Sequence, residues 1–184
     1  MFAFEEFPTL TTERLILREM RQKDAPDLLA ILGDSEVTRY LDLSSFTELA
    51  QAETLIERLH ASFQAQERWR WGIALQHDDR LIGTGGFIRW NRGWQSAEIG
   101  YDLAHAYWRQ GFMSEALRAM LTFGFEQMEL HRVEAEVMPE NQASARMLAK
   151  LGFRYEGTLR QRGFWKGAYH DLEMHALLRE EYIE

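Results

Sequence analysis

The apolar residues of this chain change their spacing in a fixed succession, and that succession restricts the fold more than any single residue does. Leu10 to Met20 alternates as a strand does, with Leu15 and Leu17 on one face and Ile16 on the other. Two helical stretches follow. The first carries Leu28, Leu29, Ile31 and Leu32, with Asp24 placed to cap it and Gly33 to stop it; the second starts near Thr47 and carries Leu49, Leu55, Ile56, Leu59 and Phe63. Trp69–Leu75, Leu81–Trp90 and Ala97–Leu103 then read as an antiparallel meander, broken at His77-Asp78-Asp79 and Asn91-Arg92-Gly93. A helix from about Ser114 to Met128, a strand Arg132–Met138, a helix from Asn141 to Leu151-Gly152, and strands Phe153–Phe164 and Tyr169–Leu178 around Lys166-Gly167 complete the chain. The order is βααβββαβαββ. Strands that first meander and later alternate with helices predict an α/β (α+β) fold, with a mixed, mostly antiparallel sheet and helices on both faces.

With 184 residues and no Pro/Ser-rich linker, residues 1–184 are expected to form a single domain. A 46% hydrophobic content excludes a disordered chain. The net charge of -8 repels nucleic acid and anionic lipid and favours cationic partners such as amines. There is no cysteine, which removes disulfides, thiolate metal sites and an acyl-cysteine intermediate. The opening Met1-Phe2-Ala3-Phe4-Glu5-Glu6 lacks a basic stretch, and no apolar run reaches the roughly 20 residues of a membrane helix, so a soluble cytoplasmic protein is expected.

Two segments carry chemistry. Tyr107-Trp108-Arg109-Gln110-Gly111-Phe112-Met113-Ser114-Glu115-Ala116 links a strand to a helix. At such a turn the backbone N–H groups and the positive helix end converge on one spot, and Gly111 permits the close approach a phosphate needs. In the second, Asn141-Gln142-Ala143-Ser144-Ala145-Arg146-Met147-Leu148-Ala149-Lys150-Leu151-Gly152-Phe153, residues Asn141, Ser144, Leu148 and Leu151 share one helix stripe. Asn141 and Ser144 therefore sit at the polar end of an inward apolar face, where capping and ligand binding are compatible.

Together these segments, with the element order, resemble the acetyl-coenzyme A signature of the GNAT acyltransferases. The stretches Leu10-Thr11-Thr12-Glu13-Arg14-Leu15-Ile16-Leu17-Arg18, Ala97-Glu98-Ile99-Gly100-Tyr101 and Phe153-Arg154-Tyr155-Glu156-Gly157 are similar to the ribosomal-protein-alanine N-acetyltransferase branch. The resemblance implies a GNAT-like fold with acetyl-CoA as acyl donor. It implies that the strand ending Ile99-Gly100-Tyr101-Asp102-Leu103 pairs with the pantetheine arm. It further implies that amides of Arg109, Gln110, Gly111, Phe112, Met113 and Ser114 hold the pyrophosphate, with Tyr101, Leu103, Trp108, Asn141, Ser144 and Lys150 also on the cofactor. The sequence departs from the family pattern in two places: Trp108 and Met113 stand at the ends of the phosphate loop, and Leu148 stands where many relatives carry a tyrosine that protonates the departing thiolate.

Direct transfer needs a neutral amine, a stabilised oxyanion and a proton for the leaving sulfur. Ser144 is the candidate donor. Glu136, where relatives place a base-like glutamate, and Glu98 are the candidate carboxylates, and for Glu134 and Glu136, which share one strand face, the alternative is a solvated or salt-bridged edge. The expected partners are acetyl-CoA and an amine acceptor, most readily a protein or peptide N-terminal α-amine. A small-molecule amine and a non-catalytic acyl-CoA-binding module are the alternatives. A free edge of a mixed sheet makes a homodimer an expectation. Gly83-Thr84-Gly85-Gly86 lacks the glycine of a dinucleotide fingerprint at Ile88, and strand alternation separates His170 from Asp171, Glu173 and His175, so no metal is assigned.

Overall fold

The computed structural model describes residues 5–182 and has one sheet of eight strands. Met1–Phe4, part of the stretch read for a leader, lies outside them. In chain order the elements are β1 (Leu10–Thr11), β2 (Leu15–Arg18), α1 (Ala25–Gly33), α2 (Ser35–Thr38), α3 (Leu49–Gln64), β3 (Trp69–Leu75), β4 (Leu81–Asn91), β5 (Ser96–Leu103), α4 (Phe112–Glu126), β6 (Arg132–Val137), α5 (Gln142–Lys150), β7 (Arg154–Trp165) and β8 (Ala168–Leu178). The strands lie in the order β1-β2-β3-β4-β5-β6-β8-β7. All the pairs are antiparallel except β5 with β6.

The expected order holds with two refinements. Leu10 to Met20 is two strands paired to each other, because the Thr12 hydroxyl accepts the Leu15 amide and turns the chain between them. A one-turn helix, α2, follows α1, capped by Asp34, whose side chain accepts from the Glu36 amide. Asp24 stands at the N-cap of α1, as expected, but its side chain makes no cap bond: the carboxylate accepts from the Arg21 amide at 2.7 Å and from the buried Arg18 guanidinium at 2.8 Å, a charged partner stronger than a helix-end N–H.

Strand alternation divides the sheet into two faces. On one, Trp69, Trp71 and Ile73 of β3, Phe87 of β4, and Ala97, Ile99 and Leu103 of β5 pack with α4 and α5 into the main core. Trp69 and Trp71 are fully buried there, whereas Trp94 is 79% exposed. The opposite face carries a smaller cluster beneath α1 and α3, with Leu28, Leu32, Ala52, Ile56 and Leu81. Burial of these two clusters supplies the main folding drive.

On the α1–α3 face, β4 and β5 place Gly86 directly opposite Gly100. A Cβ on Gly86 would come within 1.9 Å of the Trp69 carbonyl oxygen, so the glycine is demanded by close backbone approach inside the sheet. Past these glycines the β7–β8 hairpin reaches across. Lys166 at its tip donates to the Thr38 carbonyl at 2.7 Å, tying the hairpin to the end of α2.

Candidate active site

The parallel strands β5 and β6 part company at mid-length. Their register runs Ser96, Ala97 and Glu98 against Arg132, Val133 and Glu134 and stops there. Beyond it β5 continues to Leu103 on the β4 side, and β6 continues to Val137 on the β8 side. The edge of β5 from Ile99 to Asp102 that faces β6 thus has no strand beside it, which leaves main-chain donors and acceptors available to an extended ligand.

At the end of β5 the chain turns into α4. Arg109 and Gly111 take left-handed conformations, with φ of 61° and 83°, and Gly111 is the N-cap. The first intrahelical bond joins the Glu115 amide to the Gly111 carbonyl, so helix geometry leaves the amides of Phe112, Met113 and Ser114 without an acceptor inside α4. The dipole adds positive potential at the same spot. Arg14 supports the loop from behind, donating to the Gln110 carbonyl at 3.0 Å and to Glu115 at 2.7 Å. Burial works against ionisation of Glu115, but hydrogen bonds from Thr12 and Arg14 outweigh it and hold its carboxyl below the usual value.

The departure at Trp108 has a physical account. Its indole N–H donates to the Leu103 carbonyl at 2.7 Å, and its ring lies 4.4 Å from that of His105, so the side chain fastens the loop to the end of β5. Leu103, one of the expected pantetheine contacts, thereby has its carbonyl engaged. Met113 is buried in the main core.

Across the gap, α5 presents the second segment. Asn141 is its N-cap and accepts the Ser144 amide at 3.2 Å. Ser144 Oγ lies 2.6 Å from the Tyr101 hydroxyl on β5, so the two walls of the gap meet through these side chains. Leu148 and Leu151 are buried below them, as the stripe predicts, and Lys150 is exposed at the last turn. Replacing Asn141 with Ala is expected to cost about 1 kcal/mol through the lost cap, lowering Tm by roughly 2–4 °C in thermal denaturation.

The two candidate carboxylates emerge on the opposite, α1–α3 face. Glu98 is buried and accepts from Arg89 at 2.7 Å. Glu136 lies on β6 with its side chain 9% exposed, 3.1 Å from Arg162 and 3.8 Å from Arg89. Burial pushes the Glu98 carboxyl up to about 7; Arg89 opposes this, and Glu136 and Glu134 reinforce it. Glu134 itself pairs with Arg132 at 2.7 Å, as the salt-bridge reading expects. Arg89 and Arg162 were not legible as site residues. Arg162 reaches Glu136 from an irregular stretch of β7, where the register slips between Leu159 and Gly163, and strand alternation says nothing there. Tyr101, expected on the cofactor, shares its β5 face with Ile99 and Leu103, toward α5.

His170 pairs with Gly163 on one face and His175 with Tyr155 on the other, and among the described residues no three metal-ligating side chains converge. Nor is any described helix long and apolar enough to cross a membrane.

The chain matches the acetyltransferase (GNAT) domain over residues 14–154. It is 40% identical over 174 residues to an uncharacterised N-acetyltransferase, p20, of Bacillus licheniformis, with 95% of this chain and 98% of that protein covered. The ribosomal protein uS5 alanine N-acetyltransferase of Escherichia coli is 26% identical over 182 residues, covering 94% of this chain and 92% of that one. Among solved structures, Mycobacterium smegmatis RimJ in complex with CoA-disulfide superposes with a TM-score of 0.87 at 25% identity, over 97% of this chain and 90% of that one.

Proposed function

This chain belongs to the GNAT acetyltransferase family, an N-acetyltransferase with acetyl-CoA as acyl donor, and we propose that its acceptor is the α-amine of a protein or peptide N-terminus. The observation that carries the reading is the buried Glu98 carboxyl, held near 7 beside the point where β5 and β6 separate. A base of that strength suits a weakly basic amine. At pH 7 an α-amine of pKa about 8 costs roughly 1.4 kcal/mol to deprotonate, whereas a lysine-like amine of pKa about 10.4 costs nearly 5. The similarity to an enzyme named for ribosomal protein uS5 alanine supports the same class.

In this reading the amides of residues 109–114 and the Asn141 carboxamide hold the donor, the free edge of β5 from Ile99 to Asp102 lies along its pantetheine arm, and Lys150 contributes charge. Acetyl-CoA supplies an activated acyl group and a thiol leaving group. The acceptor enters from the α1–α3 face, beside Glu98. Glu98 takes the amine proton, Glu136 holds Arg89 and Arg162 around it, and Ser144 gives a proton to the departing sulfur from the α5 side. The two faces of the sheet thus serve the two substrates through one gap.

A thiol-release assay over α-amine peptides, polyamines and aminoglycosides tests the acceptor. Turnover concentrated on the peptides is expected; turnover confined to polyamines or antibiotics contradicts the α-amine reading, and coenzyme A binding with no thiol release for any amine contradicts catalysis.

A further inference from the structure

The Tyr101 side chain has no part in the scheme so far, yet it bonds across the gap to Ser144. Its ring packs against the main core and its hydroxyl lies 2.6 Å from Ser144 Oγ. A serine hydroxyl has one proton to give and two sites to accept with. On a helix it readily sends that proton back to a carbonyl in the preceding turn, where it serves no ligand. A phenol is the stronger donor of the two hydroxyls. Once it donates to Oγ, the serine proton is left to point elsewhere and is made a better donor by the bond it receives.

We infer that Tyr101 is a positioning residue: by donating to Ser144 Oγ it directs the Ser144 O–H into the gap between β5 and β6, toward the sulfur that leaves when the acetyl group is transferred. The inference rests on the proposed role of Ser144. Burial, against the Ser144 bond, pushes the Tyr101 phenol up to about 12, so it keeps its proton and stays a donor through the neutral range. The position left vacant of a donor at Leu148, which is fully buried in the core, is compatible with this arrangement.

The transfer balances without ionising the tyrosine. The carbon–sulfur bond breaks as the carbon–nitrogen bond forms. The amine proton leaves through Glu98, the sulfur takes the Ser144 proton, and Ser144 recovers one from water.

The test is steady-state kinetics on Tyr101→Phe, Ser144→Ala and the double variant, at a temperature where circular dichroism shows all of them folded. Loss of one directed hydrogen bond is expected to lower kcat about tenfold in Tyr101→Phe. The KM for acetyl-CoA is expected to stay unchanged, and the double variant to be no slower than Ser144→Ala alone. A full rate in Tyr101→Phe beside a slow Ser144→Ala overturns this inference and spares the role of Ser144. Multiplicative losses overturn it too, since the two hydroxyls would then act separately, and so does a rise in the KM for acetyl-CoA matching the fall in kcat. A full rate in Ser144→Ala removes the role of Ser144 and the inference with it, while the family assignment stands.

Discussion

Glu98→Gln is expected to lower kcat for an α-amine peptide by about a hundredfold or more, the usual contribution of a positioned general base, while leaving the affinity for coenzyme A unchanged. The pH profile carries the diagnosis. With its carboxyl near 7, wild-type Glu98 is protonated in mild acid and cannot take a proton, so the rate should fall as pH drops through about 7. In the glutamine variant that limb should vanish and leave a low, flat rate.

The same residue ties activity to stability, with a definite sign. The folded chain keeps the Glu98 proton up to about 7, whereas the unfolded chain releases it near the ordinary value of 4.5. Between those values the native state holds more protons, so the contribution of Glu98 to stability declines as pH rises and is at its most unfavourable above about 7. The shift corresponds to about 3 kcal/mol. Thermal denaturation of Glu98→Gln should therefore show a higher Tm than wild type at pH 8, with the difference closing toward pH 5. A variant slower and more stable at once would identify Glu98 as a group held ionisable for chemistry at the expense of the fold.

Ser114→Glu is the second large effect. A carboxylate in the first turn of α4 suits the helix dipole and is worth about 0.3–1 kcal/mol of stability, so Tm should hold or rise slightly. Toward a pyrophosphate at the same helix end it acts as a like charge, and at about 4 Å such a pair costs between about 1 and 4 kcal/mol. The Kd for coenzyme A, read by calorimetry, should weaken between about fivefold and nearly a thousandfold. Retained affinity would mean that the pyrophosphate lies away from this turn. Because folding and binding respond in opposite directions, the variant separates the anion site from the integrity of α4.

What the sequence made legible, and what it did not, follows from the range of the interactions involved. Long amphipathic helices such as α3 and α4 and the meander β3–β5 were readable because their burial repeats at a fixed spacing. So was the α5 stripe, where Asn141, Ser144 and Leu148 fall on one face. The split of Leu10 to Met20 was not, because it depends on a tight turn between Thr12 and Leu15, closed by backbone and Thr12 side-chain bonds, that leaves the alternation intact. Asp24 does stand at the helix N-cap, but its side chain is drawn off by Arg18, which arrives from another element. At the site, Glu98 and Glu136 were picked out as candidates from adjacent strands. Their guanidinium partners were not, since Arg89 enters at a slip in the β4–β5 register and Arg162 at another in β7.

The end of β5–β6 pairing at Glu98 is likewise invisible locally, being a property of two strands 30 or so residues apart that are held on different neighbours. In the proposed function it is nevertheless the feature on which both substrates depend: the donor lies along the edge it exposes, and the amine meets the acyl group through the opening it leaves.

A titration of coenzyme A into isotopically labelled protein, followed by amide chemical shifts, tests this arrangement most directly. The account predicts the largest shifts at residues 109–114 and 99–102, with smaller ones around Asn141. Saturable binding that moves amides elsewhere and leaves both stretches unchanged would contradict it.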